Sequence, residues 1–344
     1  MERIPEVKLD GLYVEITDRC NLRCNYCCRS CGAENSNNMS IALLEEMMKA
    51  AIKMGLNNLA ISGGEALLHP QIKDIVRLVK RCTQNYTVLT NGTLLSGIEE
   101  DFLHEIENIQ ISLDSGDRET NDAMRGDGTY DHIQEGIEDI LRKGYSPERI
   151  SLKMVITSNN YNHVKQLAHF ADKYGIQSIG YSFVYKEGRA NDIEDVFLND
   201  EQKIKVMEVM EEMYKIFPKI SIDSPGYTEI CPLLNEEEIK LTPRIDVNGN
   251  VYACQMFDEK FVLGNMNSQS LWDILHSGKL YSLHQLLIGR KDFMRKCHSC
   301  FAKGMCGRGC PGVALYENDF LATDGMCCLR KKHRVDYLKH SLAH

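Results

Sequence analysis

The chain has 344 residues, 43% hydrophobic and 26% charged, a balance that excludes intrinsic disorder and collagen-like structure. Forty Lys and Arg against 49 Asp and Glu leave a net charge of -9, and no basic cluster marks a phosphate-backbone partner, so nucleic acid is not expected. No apolar run reaches the length of a membrane span and the first residues form no cationic and then apolar leader, so a cytoplasmic chain with no membrane partner is expected.

From Gly11 to about residue 217, short β-branched or apolar runs alternate with longer segments of helical period, the signature of a parallel α/β sheet. The pattern predicts strands over 12–17, 58–62, 86–90, 109–113, 150–157 and 178–184. Helices are predicted between and after them, over 41–54, 71–82, 97–105, 130–143, 164–174 and 200–217. Six such units make an open, TIM-like partial (β/α)6 barrel, in which ligands bind on the loops after the strands. Residues 18–39 follow the first strand and Gly63-Gly64-Glu65 follows the second. Beyond residue 218 the pattern changes: Pro225, Pro232, Pro243 and the turn signal Asn248-Gly249 predict a hairpin. A domain boundary is therefore placed there, dividing the chain into 1–217 and 218–344, with one further helix over 271–287.

Fourteen cysteines in a chain without an export signal point to metal rather than to a disulfide scaffold, because 344 residues bury an adequate core without cross-links. Five lie between Cys20 and Cys31 and six between Cys297 and Cys328, so two metal-rich regions are expected. Cys20, Cys24 and Cys27 have three and then two residues between them, a spacing that can ligate three corners of a 4Fe-4S cube and leave the fourth iron open. A structural zinc takes four protein ligands, and this loop has no histidine. Cys24, Cys28 and Cys31 repeat the spacing, and spacing alone leaves both triplets open.

The stretch from Tyr13 to Cys24, with the aromatic Tyr26 before Cys27, resembles the strand-one motif of the radical S-adenosylmethionine (radical SAM) enzymes. The resemblance selects Cys20, Cys24 and Cys27, and makes Cys28 and Cys31 additional thiols. It implies that the open iron chelates the methionine part of S-adenosylmethionine. One electron then releases a 5'-deoxyadenosyl radical that abstracts hydrogen. Gly63 and Gly64 would let the backbone approach the cofactor, and Glu65 would receive its ammonium group; Ala66 replaces the proline usual at the next position. Asn91, in Thr90-Asn91-Gly92, resembles the family's third-strand ending. Ile111-Ser112-Leu113-Asp114 and the run from Asn121 to Gly126 resemble the fourth-strand signature, in which Ser112 and Arg125 would contact the ribose and the methionine carboxylate. Gly188-Arg189-Ala190 also fits the family and carries no assigned role. His69, His104, His163 and His298 are assigned none either, and no acid-base residue is identified.

Cys297-x2-Cys300-x5-Cys306-x3-Cys310, preceded by Gly249-x4-Cys254 and followed by Cys327-Cys328, resembles the SPASM extension of that family, which binds two auxiliary iron-sulfur clusters. By that resemblance Cys231, Cys254 and Cys310 hold one cluster and Cys297, Cys300, Cys306 and Cys327 the other. A fourth ligand for the first is not visible, and Cys328 remains an alternative to Cys327. Paired zinc ribbons are the competing reading. The expected complement is S-adenosylmethionine and three 4Fe-4S clusters, one in the barrel at 1–217 and two in the SPASM domain at 218–344. The expected function is that of an oxidoreductase acting on a peptide or protein, forming a thioether or carbon-carbon cross-link, with the auxiliary clusters accepting the second electron. Dehydrogenation of a small molecule, such as an alcohol, an amino sugar or a tetrapyrrole side chain, is the alternative. Expected partners are the substrate peptide, recognised by the barrel itself or by a separate leader-binding protein because the first strand starts near residue 12, and a flavodoxin or ferredoxin as reductant. The aspartate that follows the Gly-x4-Cys cysteine in sulfatase maturases, the expected general base there, is Gln255 in this chain, which disfavours that activity.

Overall fold

Apolar and polar residues alternate along the strands, and the apolar set of each is buried beneath the helices: Leu12 and Val14, Leu59 and Ile61, Ile109 and Ile111 are at most 2% exposed. The opposite set, including Tyr13, Ala60, Gln110 and Ser112, is only partly covered and lines the inner side of the sheet. The computed structural model describes residues 5–225, 231–303, 306–316 and 320–342, with side chains to 336.

The first part comprises β1 (Glu6–Leu9), β2 (Gly11–Glu15), α1 (Ile41–Lys53), β3 (Asn58–Ser62), α2 (Ile72–Cys82), β4 (Tyr86–Thr90), α3 (Glu100–Leu103) and β5 (Asn108–Ser112). Then follow α4 (Arg118–Arg125), α5 (Thr129–Arg142), β6 (Ile150–Ile156), α6 (Val164–Lys173), β7 (Ser178–Phe183), α7 (Asp200–Ile216) and β8 (Ser221–Asp223). Helix starts follow local chemistry: Ser40 accepts the Leu43 N–H at α1, and Asn199 with Gln202 forms a capping box at α7. The C-terminal part adds β9 (Glu238–Leu241), β10 (Arg244–Ile245), β11 (Asn250–Tyr252), β12 (Gly264–Asn265), α8 (Leu271–Leu275), α9 (Gly278–Phe293), α10 (Arg295–His298), α11 (Pro311–Tyr316) and α12 (Cys327–Leu342).

One ten-stranded sheet runs in the order β12-β11-β10-β2-β3-β4-β5-β6-β7-β8. It is parallel from β10 through β8, and β10, β11 and β12 pair antiparallel. This is the α/β partial-barrel architecture expected from the sequence, with the cysteine-rich segment C-terminal to it. The hairpin at Asn248-Gly249 forms as expected, Gly249 taking a φ of 82°. Four features differ from the sequence pattern. The sheet gains β8 and the β10 hairpin; β1 pairs parallel with β9 in a separate two-stranded sheet; α4 was not expected; and the helix over 271–287 is interrupted at Ser277-Gly278, where glycine is a poor helix former. Of the helix predicted over 97–105, only Glu100–Leu103 is α-helical. No helix among the described residues is long and apolar enough to cross a membrane.

Candidate active site

The first cysteine loop leaves β2 and is closed at its base by bridges between Thr17 and Asn38 and between Arg19 and Gly32. Gly63 and Gly64 press against it: a Cβ on Gly63 would lie 2.3 Å from the Thr17 carbonyl and one on Gly64 2.4 Å from that of Arg19. What the paired glycines admit in this structure is the loop's own backbone, which accepts the Gly64 and Glu65 N–H groups at 2.7 and 2.8 Å. Cys20 is buried and its Sγ accepts from the Leu22 N–H at 3.4 Å and from Asn91 Nδ2 at 3.8 Å. Cys20, Cys24 and Cys27 lie within electrostatic reach of one another; burial pushes the Cys20 thiol up, and the Cys24 thiol up to about 11. Cys31 contacts Cys27, whose thiol is held low by that hydrogen bond. Cys28 is exposed.

The far side of the loop is clamped by Gly188-Arg189-Ala190, the motif that carried no sequence role. Arg189 donates its backbone N–H to the Cys27 carbonyl at 3.0 Å, and its guanidinium to the carbonyls of Cys24 at 2.8 Å and Cys31 at 2.9 Å. Gly188, at φ 56°, has no room for a Cβ, which would sit 2.3 Å from the Cys27 carbonyl.

Around the loop the expected cofactor residues converge at the C-terminal ends of β3, β4 and β5. Glu65 is fully buried; burial pushes its carboxyl up, opposed by hydrogen bonds from the Asn91 N–H at 2.6 Å, Thr90 Oγ1 at 2.8 Å and the Leu67 N–H at 3.1 Å. Three of its four lone-pair positions are thereby used, leaving one for a further donor. Asn91 reaches back to Asn21 on the loop at 2.8 Å. Ser112 ends β5 with its side chain on the inner face. Asp114 joins two of the expected residues: buried, it pairs with Arg125 Nε at 2.7 Å and accepts the Tyr26 hydroxyl. Among the described residues the two terminal nitrogens of Arg125 are left for an anion, an arrangement that suits a carboxylate. His69 is a packing residue, buried and bonded to the Met39 carbonyl at 3.0 Å.

Two further cysteine groups form in the C-terminal part. Cys231, Cys254 and Cys310 lie within electrostatic reach of one another, and burial pushes the Cys231 thiol up to about 12. Cys297, Cys300, Cys306 and Cys327 line one cavity of about 260 Å³ with Lys296, Lys303, Arg308 and Arg330. Arg308 Nε is buried without a hydrogen-bond partner among the described residues, and the Arg308 N–H donates to Cys306 Sγ at 3.2 Å, so the cavity favours thiolates and a further anionic group between them. Cys328 turns instead toward Asp200 and Lys203 of α7. No three His, Cys, Asp or Glu among the described residues are arranged around a single ion. Asp324 links the two groups: it accepts the Cys310 and Met326 N–H groups at 2.9 and 3.2 Å and takes a bidentate pair from Arg330 at 2.6 Å.

A buried charge network ties the first loop to this second region. Arg29 donates to Glu15 at 2.7 Å, to Glu187, and to the backbone carbonyl of Gln255 at 2.9 Å, next in chain to Cys254. Arg244 donates to Glu15 at 3.1 Å and to the Phe257 carbonyl at 3.1 Å, stacked 3.8 Å over the Tyr252 ring. None of Arg29, Glu187 and Arg244 stands out in the sequence, because each has a partner remote in the chain.

A partial barrel with a three-cysteine loop at its strand ends, joined to a second cysteine-rich unit, defines a class, and the comparisons agree with it. The profile of the radical SAM superfamily matches residues 14–171 and that of the SPASM iron-sulfur cluster-binding domain matches residues 219–301. The chain belongs to the radical SAM enzymes that carry a SPASM domain, and so binds S-adenosylmethionine and iron-sulfur clusters. The antilisterial bacteriocin subtilosin biosynthesis protein AlbA of Bacillus subtilis is 27% identical over 89% of this chain and 68% of its own length. Mycofactocin maturase MftC of Mycolicibacterium smegmatis is 25% identical, covering 90% of this chain and 80% of its own, and a probable GTP 3',8-cyclase of Methanococcus aeolicus is 26% identical over 76% and 90%. The fold matches that of Streptococcus suis SuiB bound to its precursor peptide SuiA, with a TM-score of 0.72 and 17% identity over 94% of this chain and 76% of that one. It also matches anSMEcpe with bound AdoMet and the Cp18Cys peptide, with a TM-score of 0.72 and 19% identity over 98% of both.

Proposed function

We propose that this enzyme oxidises a peptide or protein in the cytoplasm, forming a thioether or carbon-carbon cross-link, with residues 1–217 as the radical-generating barrel and 218–344 as the electron-accepting SPASM domain. The observation that carries the reading is the placement of three separate cysteine groups, two of them joined through Arg29. Cys20, Cys24 and Cys27 hold a 4Fe-4S cluster with one open iron, while Cys231, Cys254 and Cys310, and Cys297, Cys300, Cys306 and Cys327, hold two auxiliary clusters. When bound, S-adenosylmethionine supplies a 5'-deoxyadenosyl radical that takes a hydrogen atom from the substrate.

The protein residues orient and enclose. Glu65 offers its remaining lone-pair position to the cofactor's ammonium group, and Gly63 and Gly64 fix the loop that presents it. Arg125, aimed by Asp114, takes the carboxylate, Ser112 takes the ribose, and Tyr26 and Asn91 hold the loop from either side. That AlbA and MftC match nearly the whole chain, SPASM region included, supports a peptide substrate. A flavodoxin or ferredoxin supplies the electron, and the peptide is recognised by the barrel itself or through a separate leader-binding protein.

The test is the intact mass of a short peptide encoded beside the gene, after anaerobic incubation with reconstituted enzyme, S-adenosylmethionine and reductant. A loss of two hydrogens that depends on Cys20, Cys24 and Cys27 is the expected result. An unchanged mass, with no exchange in deuterated water while 5'-deoxyadenosine accumulates, turns the assignment to dehydrogenation of a small molecule, the second reading, which the GTP 3',8-cyclase likeness favours.

A further inference from the structure

An oxidation by two electrons releases a proton as well as an electron, and the carboxylates near the cysteine groups differ in their freedom to accept one. Asp114 is bound to Arg125 and Tyr26, Asp324 is held bidentate by Arg330, and Glu15 is shared by Arg29 and Arg244. Glu65 already accepts three hydrogen bonds beside the first loop. Glu187 is different. It stands on the loop after β7, bonded through one oxygen to one terminal nitrogen of Arg29, whose other terminal nitrogen holds the Gln255 carbonyl. A carboxylate is thereby carried next to the backbone that follows Cys254, from an element distant in sequence. Its side chain is 14% exposed, so it is sheltered but open to a small donor. The buried Tyr316 hydroxyl lies beside it.

We infer that Glu187 is the proton acceptor of the oxidation, taking the substrate's proton as the electron passes to the cysteine group of Cys231, Cys254 and Cys310. The inference rests on the proposed auxiliary-cluster reading. In the balanced step the substrate gives one hydrogen atom to the 5'-deoxyadenosyl radical, one electron to that cluster and one proton to the Glu187 carboxylate. The substrate thus loses two electrons and two protons in all. The proton then leaves to solvent and the electron to a soluble one-electron carrier. Burial pushes the Glu187 carboxyl up, and Arg29, the Tyr316 hydroxyl and Arg244 oppose the rise. Cys28 and Glu15 also face this group.

The test is a redox titration of the reconstituted holoenzyme, following by electron paramagnetic resonance the signal that Cys254→Ser removes, at several pH values. Reduction coupled to protonation of Glu187 lowers the midpoint potential by about 59 mV per pH unit, the one-electron equivalent of a tenfold change. Glu187→Gln, which keeps the Arg29 contact, is expected to flatten that slope and Glu187→Asp to restore it, with iron content as the folding control. Cys28→Ser and Tyr316→Phe are expected to keep the slope. A slope retained in Glu187→Gln, or a pH-independent potential in the wild type, overturns the proton role while leaving the cluster intact. If Cys254→Ser removes no signal, the auxiliary-cluster reading itself fails.

Discussion

Asp114 has no charge to spare: one carboxylate serves a buried arginine, a buried phenol and, through Oδ1, the Val155 N–H at 2.9 Å. Removing it leaves Arg125 as an uncompensated buried cation, so Asp114→Asn is expected to destabilise the cluster-free chain by about 3 kcal/mol in urea unfolding. It should also weaken S-adenosylmethionine binding, measured by equilibrium dialysis. A second single-residue test separates adjacent thiols. Cys327→Ser should lose on the order of four iron atoms per chain, and Cys328→Ser none, because Cys327 lines the cavity and Cys328 faces α7. At this scale the cysteine spacing and the Gly-Gly-Glu run were legible in the sequence because their partners are neighbours or strand ends. Arg29, Asp114 as a clamp, Glu187 and Arg189 were not, since each acts on groups far away in the chain, and only folding shows which.

Elements carry the cysteines through a few rigid joints. Cys310 and the start of α12 are joined by Asp324, which receives two backbone N–H groups and the Arg330 fork. Burial alone would raise the Asp324 carboxyl, but the hydrogen bonds and charge of Arg330 outweigh it and hold it below the ordinary carboxylate value. A carboxylate with a depressed folded pKa stabilises at all pH above its ordinary value, and that stability is lost as pH falls through the lowered one. The acid limb of the wild-type stability curve should therefore flatten in Asp324→Asn, and the variant should bind less iron at both auxiliary groups. Six parallel strands and most of the helices between them could be read from the sequence, because their apolar faces repeat with a clean period. Strands β1, β8 and β9 could not: they have four, three and four residues, too short for a period to show. The break between α8 and α9 turns on Ser277-Gly278 in an otherwise helical run.

For the whole molecule, metal and protons exchange. Burial pushes the Cys24 thiol up to about 11 and the Cys231 thiol up to about 12, so both keep their protons near neutral pH in the cluster-free protein and release them when iron binds. Iron bound at limiting supply is therefore expected to rise with pH, and stripping the clusters with a chelator should lower the Tm. A pH-independent loading curve would contradict this. The strand order has a last consequence, for biosynthesis. β2, from which the first cysteine loop departs, is flanked by β10, and β1 by β9, segments made more than two hundred residues later. While the chain emerges from the ribosome, the leading edge of the barrel stays unsatisfied until β9 and β10 have been made. Open strand edges of that kind invite intermolecular pairing, so a chain interrupted at residue 217 should aggregate on release, and the assembly machinery that delivers iron meets a fully flanked binding loop only after β10 has been made.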